Sequence, residues 1–215
     1  MNTSNIDGIF FNNTLVFAFS GGLILTSQHA FQLASRAWAV WLIYWLAMAF
    51  FSKSTKRRES AGQRFEHLVP AILGFALIFR GGFGGEVLSR RIISQNSALM
   101  LVCVIVTIAG LVFSVWVRIE LGSNWSGTVT IKSGHQLIRR GPYRWIRHPI
   151  YTGMLAALLA TAIAQGALSG LLGFAFVFVA LYRKARREES FLSQEFGEGF
   201  IEHRQHTGMF LPRFS

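Results

Sequence analysis

The sequence predicts an all-α integral membrane protein of about six transmembrane helices, with five as the alternative. Three observations carry this. Of the 215 residues, 52% are hydrophobic and only 14% are charged, and the mean hydropathy is +0.40. A soluble domain carries about 25% charged residues. The apolar residues form long runs. The Lys and Arg residues gather in blocks at the ends of those runs: KSTKRR (Lys53 to Arg58), RRGPYRWIRH (Arg139 to His148) and RKARR (Arg183 to Arg187). A net charge of +11 spread in this way reads as membrane anchoring rather than nucleic-acid binding. The single cysteine, Cys103 in VCVIVTIAG, excludes an internal disulfide and reads as a small apolar residue.

The spans follow in order. Ile9–Ser27 has no charge and is long enough to cross at about 1.5 Å per residue. It lacks the basic start and cleavage site of a signal peptide, so it is expected to remain in the mature protein. Ala37–Phe51 is shorter and rich in the interface aromatics Trp38, Trp41, Tyr44 and Trp45. Leu68–Phe79 is short, and its helix is expected to reach back towards Phe65. Ser97–Val117 is the clearest span. Ile150–Ala164 and Ala167–Tyr182 are separated only by Gln165 and Gly166, which reads as a helical hairpin.

Orientation follows from the basic residues between spans. Lys53–Arg64, Arg118–Arg147 and the segment from Arg183 onward hold 17 Lys and Arg together, against 4 on the other side. The basic side is therefore expected in the cytoplasm, with both termini inside. Asp7 before the first span and Arg36 after it favour the opposite direction locally, and the global count outweighs them.

GPYRWIRHPIYTG, Gly141 to Gly153, stands at the entrance to the hairpin. Gly141-Pro142 breaks any helix, because Pro lacks an N–H and restricts its predecessor. Pro149 acts likewise on His148 but suits the first turn of the following helix. His148 is thus expected just outside a helix N-terminus at the cytoplasmic face, beside backbone N–H groups suited to a polar or anionic ligand group. A plain cytoplasmic anchor, with arginines on lipid phosphates and with Trp145 and Tyr151 in the interface, accounts for the same residues. Glu188-Glu189 also has two readings. The pair either neutralises Arg183, Arg186 and Arg187 by i,i+4 pairing or supplies a carboxylate to a ligand's hydroxyls or ammonium.

The ordered set HQLIRRGPYRWIRHPIYTG, an apolar hairpin, then EESFLSQEFGEGFIEHRQHTGMFLPRF resembles the isoprenylcysteine carboxyl methyltransferase family, which is related to membrane phospholipid methyltransferases. The resemblance covers His135 onward, with LGSNWSG (Leu121–Gly127) extending it upstream. It implies an integral membrane enzyme that uses S-adenosylmethionine, with residues 1–118 as N-terminal transmembrane helices and 119–215 as the catalytic half. By position it implies cofactor contacts from His135, Gln136, Leu137, Ile138, Tyr143, His148, Pro149, Ile150, Tyr151 and Glu188. It places a substrate-contacting arginine of the eukaryotic enzymes at Lys184, beside Arg183 and Arg187. Lys keeps the charge and loses the bidentate fork.

Methyl transfer from a sulfonium needs in-line alignment and a dry site. A carboxylate acceptor is already an anion and needs only a cation, Lys184 or Arg183, to hold it. An amine acceptor would need help losing a proton, from Glu189 or His148. The expected partners are a lipophilic substrate entering from the bilayer, membrane lipids and a cofactor arriving from the cytoplasm, with no nucleic acid and no metal. A sterol-reductase-like enzyme using NADPH shares a His-Pro-x-Tyr segment, but Glu188-Glu189 and Thr207-Gly208 stand where such enzymes carry other clusters. A non-enzymatic membrane binding protein is the remaining alternative. GGFGG (Gly81–Gly85) lacks the P-loop Lys and reads as a turn. His203 and His206 have metal-like spacing but no companions, and Trp125 reads as an interface anchor.

Overall fold

A computed structural model describes residues 25–50, 55–58, 60–80, 85–94, 96–122, 125, 130–132 and 137–213. The expected first span, Ile9–Ser27, therefore lies almost wholly outside the described residues. So do His135 and Gln136, and four residues of the GGFGG turn.

Among the described residues the chain forms seven α-helices, a short 3₁₀ turn and one two-stranded ribbon. Helix α1 spans Ser27–Ala49 and starts where Thr26 accepts a bond from the His29 N–H. Ten residues of this helix precede Ala37, where the expected span began. Hydropathy hides them because Gln28, Gln32 and Arg36 interrupt the apolar run. Strand β1, Thr55–Arg58, follows. Helix α2, Ala61–Phe79, opens on a capping box made by Ser60 and Gln63 and keeps Pro70 inside it. It reaches back beyond Phe65. The short α3, Gly85–Ser89, leads to α4, Ser97–Leu121, which Asn96 caps through the N–H groups of Ala98 and Leu99. Strand β2, Thr130–Lys132, pairs antiparallel with β1. The ribbon departs from a purely helical expectation. It joins two of the basic segments at one end of the bundle.

Helix α5 is Pro149–Gln165 and α6 is Leu168–Phe196, the two turning at Gly166, whose φ of 75° is the left-handed cap conformation that glycine favours. The hairpin is as expected, but α6 continues 14 residues past Tyr182, so Glu188 and Glu189 sit on the same helix as the span. Helix α7, Glu198–His206, closes the series. By length and composition α4 and α6 suffice to cross a bilayer, and α5 is a shorter apolar helix.

Helix α4 packs on α5, α2 packs on α6, and α1 crosses α4 and α5. Both main interfaces close through paired glycines. An added Cβ at Gly110 would sit 2.5 Å from the Gly153 carbonyl oxygen, and one at Gly153 2.5 Å from that of Gly110. Gly74 and Gly173 repeat the arrangement between α2 and α6, at 2.5 and 2.6 Å. Small residues let helix backbones touch where lipid supplies no hydrophobic drive. Polar side chains add to this. Trp38 Nε1 donates to Thr161 Oγ1 at 3.0 Å, and Trp41 Nε1 to Ser114 Oγ at 2.7 Å.

The three basic segments meet at one end. β1 pairs with β2. Arg187, on α6, donates to Glu66 Oε2 at 2.7 Å and to the Gln63 carbonyl on α2. At the opposite end Arg91 bridges Ala167 at the hairpin turn. A C-terminal reporter fusion checks the expected orientation. It should be active only in the cytoplasm, and a signal from the outer face would reverse the assignment.

Candidate cofactor and acceptor site

The site grows from the broken backbone between α4 and α5. Gly141–Arg144 forms a single 3₁₀ turn, made possible by Gly141 at φ 55° and by Pro142, and it buries Tyr143. His148 is the N-cap of α5 and makes no side-chain capping bond. Its ring is free to turn towards α6.

The segment after α7 fastens this turn. The N–H of Arg147 donates to the Gly208 carbonyl at 2.8 Å, and that of His148 to Met209 at 3.1 Å. The N–H groups of Gly208 and Arg213 donate back to Trp145, at 3.0 and 3.2 Å. Thr152 Oγ1 donates to the Phe210 carbonyl at 2.6 Å, and the Phe210 ring stands edge-on to His148.

From α6, Glu188 and Glu189 approach the His148 ring from opposite sides. Nδ1 lies 3.4 Å from Glu188 Oε2, and Nε2 lies 3.3 Å from Glu189 Oε1. Tyr151 Oη donates to Glu188 Oε1 at 2.7 Å, and its ring lies parallel to the imidazole. Lys184 Nζ is 4.0 Å from the same Glu188 oxygen and sits over the Tyr151 face. Glu189 is drawn inward instead. Arg147 Nε donates to its Oε1 at 2.7 Å, and the Arg147 guanidinium also holds the Thr207 and Arg204 carbonyls.

The two adjacent carboxylates thus occupy different surroundings. The Glu188 side chain is 22% exposed and that of Glu189 5%. Glu188 can meet a ligand, whereas Glu189 ties α6 to the turn.

Burial alone would pull the His148 imidazole below its ordinary value. Hydrogen bonds and charge from Glu188 and Glu189 outweigh it and hold it above that value. The imidazolium therefore adds stability that is fully present below about pH 6.5 and is lost as pH rises through the raised folded value. The thermal midpoint of the purified protein should decline over that window, and His148→Asn should flatten the decline. An unchanged slope in the variant would remove His148 as its source.

Of the residues singled out in the sequence, Tyr143, His148, Pro149, Ile150, Tyr151, Lys184, Glu188 and Glu189 converge here. Ile138 packs into the same cluster with Val117, Tyr143 and Ile150. Leu137 is half-buried beside it in sequence, and Arg183 is exposed on α6. Sequence reasoning did not single out Arg147, Thr152 or Phe210. Arg147 was visible only as one of several basic residues before Pro149. The contributions of Thr152 and Phe210 depend on a backbone docking that no local pattern encodes.

The sequence pattern that defines the isoprenylcysteine carboxyl methyltransferase family matches residues 100–194. Members of that family use S-adenosylmethionine, and this chain has two helices, α4 and α6, long and apolar enough to cross a membrane. A Saccharomyces cerevisiae protein-S-isoprenylcysteine O-methyltransferase is 31% identical over 94 residues, which is 42% of this chain and 39% of the yeast protein. YpbQ of Bacillus subtilis, an uncharacterised protein, is 25% identical over 150 residues, covering 69% of this chain and 88% of that protein. The fold resembles the structure of the eukaryotic intramembrane Ras methyltransferase, with a TM-score of 0.56 at 20% identity, over 88% of this chain and 69% of the other.

Proposed function

We propose that the chain transfers a methyl group from S-adenosylmethionine to a lipophilic acceptor at the cytoplasmic face of the membrane, with a carboxylate acceptor favoured, as in isoprenylcysteine carboxyl O-methylation. Six transmembrane helices, the first including Ile9–Ser27, and a catalytic half from residue 119 complete this reading. The observation that carries it is Glu188, a partly exposed carboxylate oriented by Tyr151 and His148 at a helix break. That acceptor fits a ligand bearing hydroxyls and an ammonium. When bound, S-adenosylmethionine supplies the activated methyl group.

The chain's own residues orient and desolvate. Glu188, with Tyr151 and His148, holds the cofactor. Residues 137, 138, 143, 149 and 150 wall the site, and His135 and Gln136 are proposed to complete it. Lys184 and Arg183 are the cations on α6 for an anionic acceptor. Lys184 is the nearer of the two, and Glu188 already draws on its charge. Glu189, held by Arg147, keeps His148 in place. An amine acceptor remains the second chemistry, for which His148 or Glu189 would take the proton.

The test is Glu188→Ala. Losing an acceptor of charged hydrogen bonds should weaken S-adenosylhomocysteine binding by about 1.5–3 kcal/mol. Binding as tight as the parent's would remove Glu188 from the cofactor site.

A further inference from the structure

Arg118 lies near the C-terminal end of α4 and is only 1% exposed, as buried as any core side chain. It has no carboxylate partner among the described residues. Its Nη1 donates to the Gly122 carbonyl at 2.6 Å and its Nη2 to the Met48 carbonyl of α1 at 3.1 Å. Its guanidinium carbon lies 4.5 Å from the centre of the Trp125 ring. Among the described residues its buried Nε–H donates to nothing, and the buried hydroxyl of Tyr44 on α1 is likewise without a partner. Tyr44 is within electrostatic reach of the guanidinium, and Tyr143 within reach of both Arg118 and Glu188.

A buried guanidinium is costly unless its charge is balanced. Two helix-end carbonyls balance part of it, since the partial charge at a helix C-terminus is negative. Among the described residues they leave the Arg118 Nε–H and the Tyr44 O–H, both donors, unused beside the wall of the proposed site. Two unused donors around a full positive charge suit an anionic oxygen pair. Lys184 is less suited, because Glu188 already shares its charge.

We propose that Arg118 and Tyr44 form a seat for a ligand carboxylate, with the carboxylate of the lipophilic acceptor as its occupant. This rests on the methyltransferase reading for the acceptor's identity but not for the seat's existence. The carboxylate is received by Arg118 Nε–H and Tyr44 Oη–H, with Tyr143 between it and Glu188. Trp125, stacked on the guanidinium, holds the fork in one plane.

The test uses the full chain in lipid nanodiscs. The probes are an S-prenylated cysteine with a free carboxylate, the same molecule as its carboxamide, and S-adenosylhomocysteine. Arg118→Gln should weaken the acid about ten-fold or more, as expected for losing a charged hydrogen bond. The amide should be unaffected, and Arg118→Lys should recover part of the loss. Tyr44→Phe spares the bonds to Met48 and Gly122, so it remains informative if Arg118→Gln fails to fold. It should weaken the acid several-fold and leave the thermal midpoint in place. Should S-adenosylhomocysteine binding fall while acid and amide stay unchanged, the seat stands, with the cofactor's carboxylate as its ligand. Acid and amide weakening together with the midpoint, or no probe responding to either variant, overturns the seat and leaves Arg118 a helix cap. Acid binding that depends on Arg118, with no methyl transfer to any acceptor, would instead overturn the proposed reaction and keep the seat.

Discussion

Gly110→Val is expected to abolish recovery of the folded protein. The first atom of any side chain at this position would lie 2.5 Å from the Gly153 carbonyl oxygen, with the Ala157 nitrogen at 3.1 Å and the Ala157 Cβ at 3.2 Å. No rotamer relieves the Cβ clash, because the obstacle is the backbone of α5. The helices must separate, and the cost spreads to both hydrogen-bonded tryptophans that tie α1 to α4 and α5. Overpacking within a flexible core costs about 1–3 kcal/mol. Here the neighbour cannot yield side chain by side chain, and the expected loss exceeds that range. Gly62 is the control. Nothing lies within 4 Å of an added Cβ there, and Gly62→Ala in a helix should be neutral or stabilising by about 0.5–1 kcal/mol. Size-exclusion profiles in detergent distinguish the pair. A Gly110→Val protein that elutes and melts like the parent would mean that α4 and α5 do not touch at this point.

Glu189→Ala should cost about 3–5 kcal/mol, the usual penalty for removing one partner of a buried ion pair. The Arg147 and Glu189 side chains are 10% and 5% exposed, so solvent screens them little. The variant strands the Arg147 guanidinium and takes one of the two carboxylates from His148. The Arg147 contacts to Thr207 and Arg204 should loosen with it. The expected signature is a large fall in thermal midpoint with Lys184 and Glu188 intact. Glu189→Gln, which keeps an oxygen for Arg147 Nε, should fall less. If Glu189 acts instead as a base on an amine acceptor, Ala would abolish turnover and leave the midpoint where it was, which would sink the anchoring role.

Much of this arrangement was legible in the sequence for definite reasons. Two prolines seven residues apart forced the break that frees His148, and two apolar runs joined by Gln165-Gly166 could only turn back on each other. Glu188 and Glu189 were legible as important but not as different. Their divergence depends on helical phase. α6 continues past Tyr182, so consecutive residues point about 100° apart, one to Tyr151 and one to Arg147. The start of α1 was hidden because Arg36 is exposed on a helix whose buried side is set by Ala30, Ala34 and Trp38. Arg118 was counted only as a charge that orients loops. Its burial depends on Met48 and Trp125, which lie far from it or beyond its helix, and no window of sequence brings them together.

The main-chain bonds from residues 208 and 209 to Arg147 and His148 impose an order on biogenesis. Those carbonyls are translated after every helix they brace, so α5 and α6 are made with the His148 turn still unbraced. During that interval the main-chain N–H of His148 lacks its Met209 partner. A chain translated only to residue 206 therefore has the hairpin helices without the main-chain brace on the His148 turn.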